Sequence, residues 1–324
     1  MIQVESFPRV HVTLISMHAG GYRLNGGLGF AIDHPSFEVS AIESNEWRVV
    51  SHIRGLVNKA SLQNIKTRLV EAAKLIGFQR PTEISICSSV ASHTGLGSST
   101  AYCLSSIEAA AAVNGINLSK EQLIALSGRG GTSGVGIQTY FDGGLTLDFG
   151  KRWAEDARFQ SSDEEAARSA PLQIGRADMA AWPLAILIPS HIPTKSLAEE
   201  VAFFRSTCPL PKESTFEVLY HATMGTYSAA VEQNYDQFCW SLNAIQGCAW
   251  KTAEIALYGD AVLNCIDAIR SDGADAAGMS SLGPCVYFFA NEPKKVYERC
   301  SRVNSAWRAI FAQRTNSGRK ILNV

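Results

Sequence analysis

The segment Gly95-Leu96-Gly97-Ser98-Ser99-Thr100 stands between a β-branched run, Glu83-Ile84-Ser85-Ile86-Cys87, and an alanine-rich stretch from Tyr102 to Val113. That order predicts strand, glycine loop and helix in succession. Glycines let the backbone approach a ligand closely and take positive φ. The helix that follows offers free amides and the positive end of its dipole to an anion, and the hydroxyls add donors or a metal ligand. A serine-capped glycine turn reads the same way. The Walker pattern is absent because there is no Lys, and the spacing is not that of a Rossmann loop.

The surrounding pattern is mixed. Arg9-Val10-His11-Val12-Thr13-Leu14 alternates with period two, and Leu28 to Ile32 and Phe37 to Ile42 read as further strands, with Gly20 to Gly27 ahead of them as a turn or loop. Leu62, Ile65, Leu69, Ala72, Ala73 and Ile76 have helical spacing over 60–77. Ser119-Lys120-Glu121-Gln122 fits a capping box, and its helix ends in Gly128-Arg129-Gly130-Gly131 ahead of a strand, Leu145 to Asp148. The charged stretch from Lys151 to Ala170 lacks periodicity, which divides the chain into domains of 1–170 and 171–324. Beyond it the pattern predicts a strand at Leu184–Pro189, helices over 196–206, 214–233, 235–257 and 260–271, then strands at Cys285–Phe289 and near the C-terminus. The class is α/β or α+β.

A 46% hydrophobic content with 18% charged residues supports a full core. The formal net charge of -1 argues against a broad nucleic-acid or membrane footprint, and no apolar run reaches the roughly 20 residues that span a bilayer. The first residues lack the basic-then-apolar pattern of a secretory signal, so a cytoplasmic protein is expected. Eight cysteines without a CxxC pair read as reduced thiols rather than zinc ligands or disulfides.

Two further glycine segments, GRGGTSGVG over 128–136 and GMSSLGPCVY over 278–287, join the first. Together the three resemble the superfamily of galactose, homoserine, mevalonate and phosphomevalonate kinases. The resemblance implies an N-terminal domain like domain 2 of ribosomal protein S5 and a ferredoxin-like C-terminal domain. Kinases of that superfamily carry Pro-Ser-Gly, an aliphatic residue and Asp where this chain has Thr132 to Gly136. Here Gly136 replaces the acid, no acid lies between Glu121 and Gly136, and Ser92 stands where a proline usually precedes the glycine loop. Phosphoryl transfer depends on such charged positioning groups, so a kinase is disfavoured.

The pieces RVHVTLI, GYRLNGGLGFAI, HTGLGSST, GRGGTSGVGI, CPLP at 208–211, NAIQ at 243–246 and GMSSLGPCVY span nearly the whole chain and resemble the β-ribofuranosylaminobenzene 5'-phosphate synthase group. That resemblance implies a decarboxylating phosphoribosyltransferase. It would couple 5-phosphoribosyl-1-pyrophosphate to an aromatic carboxylate such as 4-aminobenzoate, form a C-riboside 5'-phosphate, and release CO2 and pyrophosphate with Mg2+. Arg23, Asn25 and His93 are the implied catalytic residues, with Arg23 as a fork for the acceptor's carboxylate. Arg9, His11, Ser16, Gly95, Gly97, Ser98, Ser99, Thr100, Arg129, Gly130, Gly131, Thr132, Ser133, Ser280 and Ser281 are implied to bind substrate, Ser98 also being the candidate metal ligand. Asp142 and Asp148 read as Mg2+ ligands or as turn and strand-end acids, and Trp240, Trp250 and Tyr258 as core.

Two departures from the group matter. Ser16 and Asn25 stand where synthases of methanopterin biosynthesis commonly carry Asp. Related C-nucleoside synthases act on a pyrazole dicarboxylate, so a heteroaromatic acceptor is a second reading. An ATP-dependent kinase and a non-catalytic ligand-binding relative are the others. The implied partners are small molecules and a second copy of the chain in a homodimer, with neither nucleic acid nor membrane.

Overall fold

A computed structural model of the chain describes residues 1–53, 57–88, 93–154, 158–160, 170–303 and 306–324; Ser92 and most of the charged 151–170 stretch lie outside them. Three antiparallel-rich sheets carry the helices. The first contains β1 (Ile2–Ser6), β4 (Phe37–Glu43), β5 (Arg48–Ser51), β6 (Thr82–Ser88) and β14 (Lys320–Asn323), in the order β14-β1-β4-β6-β5. The second is β2 (Arg9–Ser16), β3 (Arg23–Ala31), β7 (Leu145–Asp148) and β9 (Gln173–Ala177), in that order, with the short β8 (Lys151–Arg152) paired to β3. The third runs β11 (Ala276–Met279), β12 (Val286–Phe289), β10 (Leu184–Pro189), β13 (Trp307–Ala312).

Helices α1 (Lys59–Ile76), α2 (Ser98–Val113), α3 (Lys120–Ser127) and α4 (Gly134–Asp142) follow in the first half. The α3 capping box is present as expected, Ser119 accepting from the Gln122 amide and Gln122 reaching back. Thirteen of sixteen α2 residues are buried, which small alanines and serines permit by letting neighbours approach on every side. Helix α4 lies on β3 because Gly29 has no side chain: a Cβ there would sit 2.6 Å from Val135 Cγ1. Pairing with β8, Arg23 opposite Arg152 and Leu24 opposite Lys151, carries β3 back to Arg23, so the turn expected over Gly20–Gly27 is confined to the residues before it.

The second half carries α5 (Leu197–Thr207), α6 (Lys212–Tyr220), α7 (Ser228–Glu232), α8 (Tyr235–Gln246), α9 (Ala249–Ala256), α10 (Asp260–Ser271) and α11 (Pro293–Val303). The single helix expected over 214–233 is instead α6 and α7 joined by a π-helical turn, His221–Tyr227. The helix expected over 235–257 divides at Gly247-Cys248, where Cys248 takes an extended conformation. Trp240, read as core, is 65% exposed on α8. One apolar core joins residues from both halves, from Val4 and Phe30 to Tyr287 and Phe289. β9 and β14, both beyond residue 170, complete sheets of the first half.

Candidate active site

The three glycine segments converge. Gly95 takes φ +99°, and Gly283 packs on it so closely that a Cβ on Gly283 would lie 2.0 Å from Gly95 N. Ser280 ties the contact, its hydroxyl donating to Gly95 O at 2.8 Å and accepting from the His11 amide at 3.0 Å. The Ser281 amide donates to His11 O. Gly97 caps α2 with φ +84° and offers no side-chain acceptor, and no acid occupies the first turn. The amides of that turn are therefore left for an anion.

Two adjoining cavities open there, about 110 and 640 Å³, sharing His93, Ser99, Arg129 and Glu200. Arg9 lines the smaller and donates to Gly95 O at 2.6 Å; its buried Nε has no partner. Burial lowers its guanidinium to about 10, which leaves it charged at neutral pH. Arg129 donates to Thr100 and Ser133 hydroxyls at 3.2 Å and joins the two loops. His11 is buried, and burial with the charges of Arg9 and Lys251 holds its imidazole well below the usual range, hence neutral. His93, at φ +64°, approaches Ser61 Oγ at 3.3 Å and lines both cavities. Gly95, Gly97, Ser98, Ser99, Thr100, Thr132, Ser133 and Ser281 also line the smaller cavity; Gly130 and Gly131 line neither, and Ser280 acts through Gly95 and His11.

Arg23, Asn25 and Ser16 are gathered elsewhere, at the far end of β2 and β3, and line neither cavity. Arg23 Nε and Nη2 donate to Phe149 O and Gly150 O at 2.5 and 2.6 Å, so these two donors pin the turn after β7. Ser16 Oγ donates to Arg23 O, and Asn25, at φ +64°, buries an Oδ1 without a partner. Asp148 closes this cluster. Burial pushes its carboxyl up to about 7, opposed by the Gly150 amide and by Arg23. Asp142 pairs with Lys120 at 2.6 Å, away from the cavities.

Motif spacing passes over what α9 supplies. Lys251 and Glu254 form a fully buried pair, Lys251 Nζ lying 2.6 Å from Glu254 Oε2 and donating to Met279 O at 2.7 Å. Glu254 and Trp250 face the smaller cavity, with Glu200 from α5. A charged pair three residues apart among Cys248, Trp250 and Ile255 is the signal that points to it. NAIQ has a structural meaning: Asn243 and Gln246 side chains accept from the amides of Ala277 and Met279 on the edge strand β11. For Mg2+, the cavity supplies hard oxygen donors, the Ser98 hydroxyl and the Glu200 carboxylate, the chemistry this ion prefers alongside water and phosphate oxygens. Bound there, it would neutralise phosphate charge.

Comparison with known proteins agrees with the geometry. Residues 63–142 match the family model for the GHMP kinases N terminal domain, and the whole chain superposes on the phosphomevalonate kinase of Streptococcus pneumoniae with a TM-score of 0.68, at 12% identity, covering 97% of this chain and 99% of that one. The fold is therefore that of the GHMP kinases. The β-ribofuranosylphenol 5'-phosphate synthase of Archaeoglobus fulgidus is 33% identical over 93% of this chain and 92% of its own, and that of Methanothermobacter thermautotrophicus 31% over 96% and 95%. The chain belongs to this synthase family and is an enzyme of the transferase type. Among the described residues no helix is long and apolar enough to cross a membrane.

Proposed function

We propose that the protein transfers the 5-phosphoribosyl group of phosphoribosyl pyrophosphate to a benzoate bearing an electron-donating 4-hydroxyl or 4-amino group, with loss of CO2. The observation that carries this reading is a cavity lined by Arg9, Arg129 and the first turn of α2, beside which Gly136, packed against Thr100, stands in place of the kinase acid. The C1–oxygen bond breaks with its electron pair leaving on pyrophosphate. The ring carbon bearing the carboxylate attacks C1, and the pair of the breaking C–CO2 bond restores the aromatic ring. No net proton is exchanged, so a dedicated base is not required. Leaving-group charge is what needs stabilising, and Arg9, Arg129 and the first-turn amides of α2 suit that task. The relatives' name fits a 4-hydroxybenzoate acceptor, since decarboxylation at the joined carbon would leave a ribosylated phenol.

The test is incubation with phosphoribosyl pyrophosphate, Mg2+ and 4-hydroxybenzoate, 4-aminobenzoate or a pyrazole dicarboxylate, with CO2 and pyrophosphate measured. Equal release of both with a benzoate is expected. Release with the pyrazole alone would move the protein to C-nucleoside synthesis, and ATP consumption without pyrophosphate release would overturn the transferase reading. Arg9→Gln is expected to raise the donor KM by at least tenfold, as the loss of a charge-assisted contact costs about 1.5–3 kcal/mol. Arg23→Gln separates two roles. A raised acceptor KM alone marks the expected carboxylate fork, whereas lowered thermal stability with unchanged KM marks a purely structural residue.

A further inference from the structure

Glu217 and His221 lie one helical turn apart, Glu217 on α6 and His221 at the start of the π-helical turn, while Cys248 stands at the N-terminal boundary of α9. One oxygen, one ring nitrogen and the Sγ of these residues all lie within 4.8 Å of one another. Among the described residues, neither the Glu217 carboxylate nor the His221 ring makes a hydrogen bond, and Cys248 Sγ has only a long contact to Ala244 O at 3.6 Å. Carboxylate, imidazole and thiolate together form a donor set for zinc-class ions, not for Mg2+. We propose that Glu217, His221 and Cys248 bind one Zn2+-class divalent ion, with a fourth position open to solvent beside the exposed Glu217.

The geometry leaves little to rearrange. Donors of a tetrahedral zinc site sit roughly 3.5 Å apart, given Zn–S and Zn–N lengths of about 2.3 and 2.0 Å, so closure asks each side chain to shift by about an ångström. The i, i+4 spacing puts Glu217 and His221 on one helix face, as helical metal motifs require. The widened turn that begins at His221 is a device that re-aims side chains within a helix. Cys248 is buried in the core cluster that also holds Val218 and Ala222, and its Sγ is the buried corner of the donor set. On binding, the Cys248 S–H proton leaves to solvent and the thiolate pair forms the bond to the metal; nothing is oxidised or reduced. The ion would clamp α6 to the start of α9, the helix that carries Trp250 and Glu254 to the smaller cavity. This site is independent of the proposed transfer reaction. Its ligands come from separate helices, which is why cysteine spacing in the sequence gives no sign of it.

The test is titration of the chelator-treated, reduced protein with Co2+. One equivalent is expected to produce thiolate-to-cobalt charge-transfer absorption and tetrahedral d–d bands, both displaced by one equivalent of Zn2+. His221→Gln, a change at a partly exposed position, should reduce Co2+ affinity by at least tenfold, and Cys248→Ser should abolish the charge-transfer band while the other seven cysteines remain. Absence of the band in the unaltered protein, or its persistence in Cys248→Ser, would overturn the site. If Cys248→Ser does not fold, an undiminished band in folded His221→Gln overturns it equally.

Discussion

Asp148 shows how one residue ties stability to pH. Its carboxylate is 2% exposed and accepts from the Gly150 amide at 2.8 Å, while the two Arg23 donors beside it are spent on carbonyls. Burial therefore wins and raises its pKa from 3.8 to about 7. Below the unfolded value both states hold the proton and the residue costs nothing. As pH rises the unfolded chain releases it first, so stability falls progressively and the loss is complete above the folded value. The shift corresponds to at most about 4 kcal/mol at 1.36 kcal/mol per unit. Asp148→Asn keeps the shape and the acceptor without the charge. Its stability relative to the unaltered protein is expected to improve by a few kcal/mol between about pH 4 and about pH 8, read from urea unfolding. A difference that stays flat across that range would mean the carboxylate is ionised throughout. Sequence alone offered Asp148 as a metal ligand or a strand-end acid; only the contacts around it reveal a buried group.

At the scale of elements, β11 is the edge of its sheet, and α8 covers that edge with side chains rather than another strand. Gln246 accepts from the Met279 amide at 3.1 Å and donates to Tyr287 Oη at 3.2 Å, and Gly278 leaves room for it, a Cβ there falling 2.4 Å from Gln246 Cδ. Gln246→Ala would strand a buried amide at a cost of about 1–3 kcal/mol. Because β11 runs directly into Ser280, donor KM should rise with the loss of stability. A thermal midpoint unchanged from that of the intact protein would deny the strap its role. Periodicity exposes the elements that have one wet face, such as α1, and the cap chemistry marks α3. It does not expose α4, whose Gly134 and Gly136 lower helix propensity and whose place is set by glycines on a strand far away in sequence. The breaks at His221 and Cys248 are equally silent, since tertiary contacts decide them. The glycine-loop half of the site is legible because such loops need local residues. The Lys251–Glu254 pair is hidden inside an apolar helix.

At the scale of the molecule, the C-terminal segment joins the second half to the first. After β13 the chain returns to the first half, where β14 pairs with β1 and Arg319 reaches α2. Arg319 Nη2 lies 2.6 Å from Glu108 Oε1, Nε adds contacts to both carboxylate oxygens, and Tyr140 Oη donates to Glu108 Oε2 at 2.6 Å. The guanidinium also lies over the Phe141 ring, 4.9 Å from its centroid. Glu108 stands on the helix whose first turn lines the smaller cavity, and Tyr140 on α4, so the tail braces both helices behind the cavity. Arg319 is 26% exposed and Glu108 only 9%, which places the pair between surface and buried ion pairs. Arg319→Met should then cost about 2–3 kcal/mol in urea unfolding, because Glu108 is left with a charge and too few donors. Adding Glu108→Gln should recover most of the loss, since it removes the stranded charge and keeps an acceptor for the Tyr140 hydroxyl. If Arg319→Met changes stability by less than about 0.5 kcal/mol, as a surface substitution would, the C-terminal strand is an accessory to the first half and not a brace for it.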